Sequence, residues 1–155
     1  MISTQMKEFK IGDLTIKLPI IQGGMGVGVS LSGLASAVAN EGGVGVIATA
    51  GIGMLEPDFM NNFLEANNRA LKKEIEKARA FSKGVIGVNI MVALTNYAEL
   101  VKTSIQEEVD IIFSGAGLPL NLPEFLRQSG KSKTKLVPIV SSGRAAEYIS
   151  KKWID

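Results

Sequence analysis

Two residue types are missing altogether: the 155-residue chain contains neither cysteine nor histidine. Without thiols there is no disulfide and no thiolate nucleophile, and without imidazole the usual acid–base catalyst at neutral pH is gone; zinc sites built on either residue go with them. A surplus of one charge is lacking too. The 17 basic and 15 acidic residues are scattered along the chain, so the pI of about 8.9 reflects two extra charges and no patch, and nucleic acid has no electrostatic footing. No apolar run approaches the ~20 residues that a membrane helix needs, and residues 1–10 have no apolar core after a basic start. The reading is a soluble, cytoplasmic protein with no membrane partner. Linkers and low-complexity segments are also absent, so residues 1–155 read as a single domain.

What is present points to burial on both sides of a sheet. Apolar residues make up 46% of the chain and mean hydropathy is +0.22, enough for a real core at this length. Residues 9–19 alternate apolar and polar around Gly12 and Asp13, the pattern of a β-hairpin, and residues 1–19 are expected to plug one end of the fold. Over residues 20–155 five apolar runs follow, at 20–22, 44–48, 85–91, 110–113 and 136–140, each ahead of a helical segment. Continuous runs of this kind are what strands buried on both faces of a parallel sheet look like.

The helices are expected from caps and spacing. Ser30 or Ser32 caps the first, with Leu31, Leu34, Ala35, Val38 and Ala39 as its apolar stripe and Gly42 as its stop. The second follows Pro57, with Phe59, Phe63, Leu64, Leu71, Ile75 and Ala78 along one face and Lys72 paired outward with Glu76. Asn96 with Glu99 resembles a capping box before a third helix that turns Tyr97, Leu100, Val101, Ser104 and Ile105 inward. Asn121 with Glu124 repeats the device before a short fourth helix at residues 125–127, and Ser142 begins a fifth carrying Tyr148, Ile149 and Trp153.

A hairpin followed by five βα units fits two α/β architectures. One is a complete, doubly wound open sheet with its ligand at the topological switch point. The other is part of a closed (β/α)8 barrel, which takes about 250 residues; the first and fifth strands would then be open edges with unpaired N–H and C=O groups.

The densest motif is residues 19–28, Pro-Ile-Ile-Gln-Gly-Gly-Met-Gly-Val-Gly, a strand running into a glycine-rich loop ahead of a helix. Glycines there let backbone amides approach a ligand, although the spacing does not match the dinucleotide pattern G-x-G-x-x-G. From the residues alone the loop is either a ligand contact or a tight βα turn. Asn89 is an amide inside an apolar strand and must find partners, in a ligand or in a neighbouring loop. Ser114 to Gly117 line a site or only turn the chain, Ser141 and Ser142 bind an anion or cap a helix, and the glycines at 42–53 serve the second strand and its loop.

Residues 20–26, Ile-Ile-Gln-Gly-Gly-Met-Gly, together with residues 35–47, resemble the opening of the nitronate monooxygenase (2-nitropropane dioxygenase) family, whose relatives include flavin-containing enoyl-acyl-carrier-protein reductases. Residues 87–91, 110–119 and 137–144 are similar to the same family, in the same order, over nearly the whole chain. The resemblance implies a (β/α)8 TIM barrel of which about the first five βα units are present, binding FMN at the C-terminal ends of its strands. It implies cofactor contacts at Gly23, Gly24, Met25 and Asn89; the Met25 thioether either packs on the flavin or fills a gap. The activity implied is oxidation of a small-molecule nitronate by dioxygen, with enoyl-thioester reduction as the alternative. The family's base, usually a histidine, and its phosphate loops lie in the later half. No catalytic residue and no metal site is therefore assigned here, and this chain alone is expected to be an inactive, incomplete barrel. A further alternative is a non-catalytic half-barrel that self-associates or pairs with another chain through its open sheet edges.

Overall fold

The computed structural model describes residues 7–130 and 133–154. Gly12, at φ +61°, turns the chain between β1 (Phe9–Ile11) and β2 (Leu14–Ile16), an antiparallel pair in the register Phe9↔Ile16. A separate parallel sheet contains β3 (Val44–Ala48), β4 (Val85–Met91), β5 (Ile111–Gly115) and β6 (Lys135–Pro138), hydrogen-bonded in the order β3-β4-β5-β6. Residues 20–22 add one more stave at the β3 edge, but through the single parallel bridge Ile21↔Val44.

That sequential order decides between the two architectures. A doubly wound sheet of the flavodoxin type reverses direction after its first strand and carries helices on both faces. Here no reversal occurs. The helices α1 (Ser32–Asn40), α2 (Phe63–Phe81), α3 (Tyr97–Gln106), α4 (Leu122–Ser129) and α5 (Gly143–Ile154) all contribute to one cluster with the outward side chains Ile47, Ile86, Val88, Ile90 and Ile112. Helices on one face and strands in chain order make an arc of a barrel.

The opposite face of the strands holds a smaller cluster of Val44, Val46, Ile111 and Phe113, closed at the strand bases by Ile16 with Phe9, Ile11 and Leu14. The hairpin thus packs on the strand bases, while residues 1–6 of the segment expected to plug one end of the fold lie outside the described residues. Ile16 is completely buried, which stabilises its seat by roughly 1.5–3 kcal/mol. Lys135 at the foot of β6 pairs with Asp13 of the hairpin turn and ties the two sheets together. On the outer side α1 lies so close to β3 that any Cβ at Gly45 would overlap the Ala35 carbonyl.

Several local expectations are corrected. Neither Ser30 nor Ser32 caps α1, whose N-cap position is Leu31. Instead the Ser32 N–H (2.9 Å) and Oγ (2.6 Å) donate to Oε2 of Glu74 on α2, and Lys77 donates to the other oxygen of that carboxylate at 2.9 Å. A neighbouring helix supplies the cap. Asn96 and Asn121 occupy N-cap positions without a side-chain cap hydrogen bond, so neither capping box forms, whereas Ser142 Oγ accepts from the Ala145 N–H at 3.1 Å as expected.

A 3-10 turn at Ile52–Leu55 and the turn after it use up the chain beyond Pro57, so α2 starts only at Phe63. Phe63 and Leu64 are left exposed, as is Leu34 on α1, and the buried line of α2 is Ala66, Asn67, Ala70, Leu71, Ile75 and Ala78. Lys72 reaches Glu107 on α3's C-cap at 2.7 Å in preference to Glu76 at 3.7 Å. The inward face of α3 is as expected. No helix among the described residues is long and apolar enough to cross a membrane.

Candidate functional site at the strand tops

The first stave begins as an ordinary parallel ladder. The Val44 N–H donates to the Ile20 carbonyl (2.9 Å) and the Gln22 N–H donates to the Val44 carbonyl (3.0 Å). Past Gln22 the main chain leaves the sheet and its side chain continues in place of it: Nε2 donates to the Val46 carbonyl (3.0 Å) and Oε1 accepts from the Val46 N–H (3.1 Å). The glycine-rich loop that follows is closed by the buried Ser30. Its Oγ accepts from the Met25 N–H (3.0 Å) and donates to the Gly23 carbonyl (3.3 Å), while its own N–H donates to the Met25 carbonyl (2.9 Å). The Gly23 and Gly24 N–H groups find no acceptor among the described residues.

Asn89 lies on the inner face of β4, in register with Ala48 on one side and Phe113 on the other, both buried. Its carbonyl accepts from the Thr49 N–H (3.1 Å) and the Thr49 Oγ1 (3.0 Å), which fixes the strand end. Its side-chain amide makes no hydrogen bond among the described residues, so the neighbouring loop does not satisfy it. Gly24 rests directly on this side chain. A Cβ at Gly24 would come within 2.5 Å of Asn89 Cβ and 3.1 Å of Oδ1, so steric contact, with no need of an unusual φ, accounts for the glycine.

The structure therefore brings Gly23, Gly24 and Asn89 together at one rim. Met25 is 61% exposed and fills no gap; only its main chain is anchored, by Ser30. Ser114 does not join them, because its side chain points outward, is buried, and meets the Tyr97 hydroxyl at 3.1 Å. Burial pushes the Tyr97 phenol above its ordinary pKa. Ala116 (φ +54°) and Gly117 (φ +144°) turn the chain after β5, and Ser142 is spent on its helix cap. The glycines after β3 likewise serve packing, with Gly53 pressed on the α2 backbone at Asn67.

Clefts of about 660 Å³ near Lys17 and Arg79 and about 420 Å³ between α3 and α4 lie away from this rim. A smaller depression of about 260 Å³ opens at the strand tops between Gly117, Leu118, Ile139 and Ser141. Size alone does not mark the site, since an arc cannot enclose the space above its own inner face.

The loops at the strand tops share one further property. Residues 23–30, 48–53, 89–96, 115–121 and 139–143 contain no acidic or basic side chain. The rim offers amide donors and amide acceptors but no proton-transfer pair of its own. Sequence reasoning missed Gln22 and Thr49 and offered Ser30 only as a helix cap, yet Gln22 carries the same signal as Asn89: an amide inside an apolar strand.

The nitronate monooxygenase family model matches residues 7–155. The chain belongs to the nitronate monooxygenase family. Two solved structures resemble it: FabK from Thermotoga maritima (31% identity, TM-score 0.66) and a methionine-to-alanine mutant of the same protein (31%, TM-score 0.68). They cover 86% and 88% of this chain, which spans only 37% and 40% of theirs. This nitronate monooxygenase family chain is thus a partial barrel of the TIM type. A search of curated proteins found no match.

Proposed function

We propose that the protein is an FMN-dependent oxidoreductase of the nitronate monooxygenase type, carrying out oxidative denitrification of alkyl nitronates with dioxygen, and that this chain supplies the seat of the flavin ring. The observation that carries the proposal is the convergence of two free loop amides, Gly23 and Gly24, with the unpartnered Asn89 amide across a contact only glycine permits. A flavin edge presents both acceptors and donors, which suits this set, and a charge-free rim suits a ring that is itself uncharged when oxidised.

Bound here, FMN supplies the two-electron redox chemistry between substrate and oxidant. The chain's own tasks are binding and orientation. Gly23 and Gly24 would donate main-chain N–H groups, the Asn89 amide would offer both donors and an acceptor, and the exposed Met25 side chain would give apolar contact. Each hydrogen bond contributes about 0.5–1.5 kcal/mol, so these residues alone hold FMN weakly. With no acid or base in those five rim segments, and with Glu56 and Asp58 farther along the loop after β3 paired to Arg69, the isolated chain is expected to show no turnover. Gel filtration of the isolated chain after mixing with FMN tests this, and a near-stoichiometric flavin spectrum in the protein peak would contradict it.

The likeness to FabK favours a second reading, an FMN-dependent enoyl-acyl-carrier-protein reductase. Parallel assays of the protein with a nitronate plus dioxygen and with an enoyl thioester plus a reduced nicotinamide separate the two. A third reading, a non-catalytic half-barrel that needs a partner chain, is supported by the apolar residues exposed at the two sheet edges, Ile20 and Ile21 at one and Ile139 and Val140 at the other. Sedimentation of the isolated chain as a cooperatively melting monomer would dismiss it.

A further inference from the structure

We infer that Gln22 is a positioning residue for the flavin: its side-chain amide takes over one rung of the sheet, and this releases the Gly24 amide to face the cofactor. The inference rests on the flavin reading proposed above and names a residue that reading does not use.

In a parallel pair the rungs follow a fixed alternation. After Val44 N–H to Ile20 C=O and Gln22 N–H to Val44 C=O, the next two bonds would run from Val46 N–H to the Gln22 carbonyl and from Gly24 N–H to the Val46 carbonyl. Both Val46 groups are instead occupied by the Gln22 side chain, at 3.1 and 3.0 Å. Val46 is 1% exposed, so its N–H and C=O must be paired by something. Because the side chain pairs them, the main chain leaves the sheet one rung early, and Gly24 comes to lie over Asn89 and not along β3.

The requirement on the residue is narrow. A carboxamide places a donor and an acceptor in one plane, as a peptide group does. A carboxylic acid does the same when protonated, a carboxylate has no donor, and a thioether has neither group in usable form. The Glu variant therefore carries its own switch. At low pH it pairs both Val46 groups, and once ionised it sets a negative charge against the Val46 carbonyl.

The test uses Gln22→Glu and Gln22→Met in the full-length protein. FMN affinity is measured by fluorescence relative to wild type at the same pH, from about pH 4.5 to about pH 8, where far-UV spectra show each variant folded. Exchange of the Val46 amide is followed without FMN and corrected for intrinsic pH dependence. The expected result is an affinity about tenfold below wild type throughout for Gln22→Met. For Gln22→Glu it is near wild type at the acid end and about tenfold weaker at the alkaline end, with Val46 losing protection over the same interval. A Gln22→Glu variant that tracks wild type at both ends, or a Gln22→Met variant with wild-type affinity, overturns the positioning role and leaves the flavin reading intact. Should Gln22→Met fail to fold, the Gln22→Glu titration decides alone, since its acid form is its own reference. A wild-type protein that binds no FMN overturns the flavin reading, and the positioning role with it.

Discussion

Replacing Gly24 by alanine separates fold from site, because the new methyl group strikes the proposed flavin seat and little else. The Cβ would lie 2.5 Å from Asn89 Cβ and 2.9 Å from Cγ, against an ordinary carbon–carbon contact of about 3.5 Å, so loop and strand must part by about 1 Å. Asn89 is held in β4 between buried neighbours, whereas the loop is exposed, so the loop yields. The strain costs at most about 1–3 kcal/mol, and the reduced freedom of the unfolded chain returns about 0.4–1 kcal/mol, so urea unfolding should shift little. A 1 Å displacement, however, stretches a 2.9 Å hydrogen bond to about 3.9 Å, beyond useful length. Loss of two loop–flavin hydrogen bonds amounts to about 1–3 kcal/mol, or roughly 5- to 150-fold in the FMN dissociation constant read by fluorescence titration. Gly33→Ala in α1, away from the proposed seat, is the control, since a Cβ there meets nothing within 4 Å, and its affinity should stay within about twofold of wild type. Equal losses in the two variants, or none in Gly24→Ala, would refute the contact as the reason for the glycine.

Three other substitutions probe the scaffold. Glu74→Gln weakens the cap that α2 provides for α1 and should lower stability by about 1 kcal/mol at neutral pH. Burial by itself raises the Glu74 carboxyl, but hydrogen bonds from Lys77 and Ser32 outweigh it and hold the folded pKa below the ordinary 4.5. That stabilisation is present above pH 4.5 and is lost as pH falls through the folded value, so the gap between wild type and variant in urea midpoints should close in acid; a gap constant to low pH would count against the cap. Ile16→Ala empties the seat of the plug and should cost about 2–5 kcal/mol in the same assay, with a loss under about 1 kcal/mol contradicting the plug's role. Gly45→Ala forces α1 off β3 and should destabilise by about 1–3 kcal/mol or prevent folding, whereas wild-type stability would show that the helix can slide.

The βα rhythm was legible because the sheet is buried on both faces, which leaves the strands as continuous apolar runs. The order of the strands was not, since no residue in β3 or β4 records which neighbour it pairs with, and only the assembled sheet excludes the doubly wound alternative. Caps failed where a distant partner won: Ser32 has the right chemistry and position, but Glu74 offers its N–H and hydroxyl a charged acceptor, and a charge-assisted bond outcompetes a local one. At the site, the glycine loop and Asn89 were readable as polar or permissive residues against an apolar background. The sequence leaves Ser114 either lining a site or turning the chain, and geometry removes it from the site. Ser114 follows the inward Phe113 by one position, and the pleat turns it to the helix side, where Tyr97 waits.

The tie between Ser32 and Glu74 also sets a schedule for the growing chain. The two residues are 42 positions apart, and at about 5–20 residues per second a ribosome needs roughly 2–8 s to travel from one codon to the other. During that interval the start of the first helix lacks the Glu74 acceptor for its amide and hydroxyl. The glycine loop at the start of the proposed seat is therefore among the later parts to settle, because Asn89, on which Gly24 rests, leaves the exit tunnel only after the second helix.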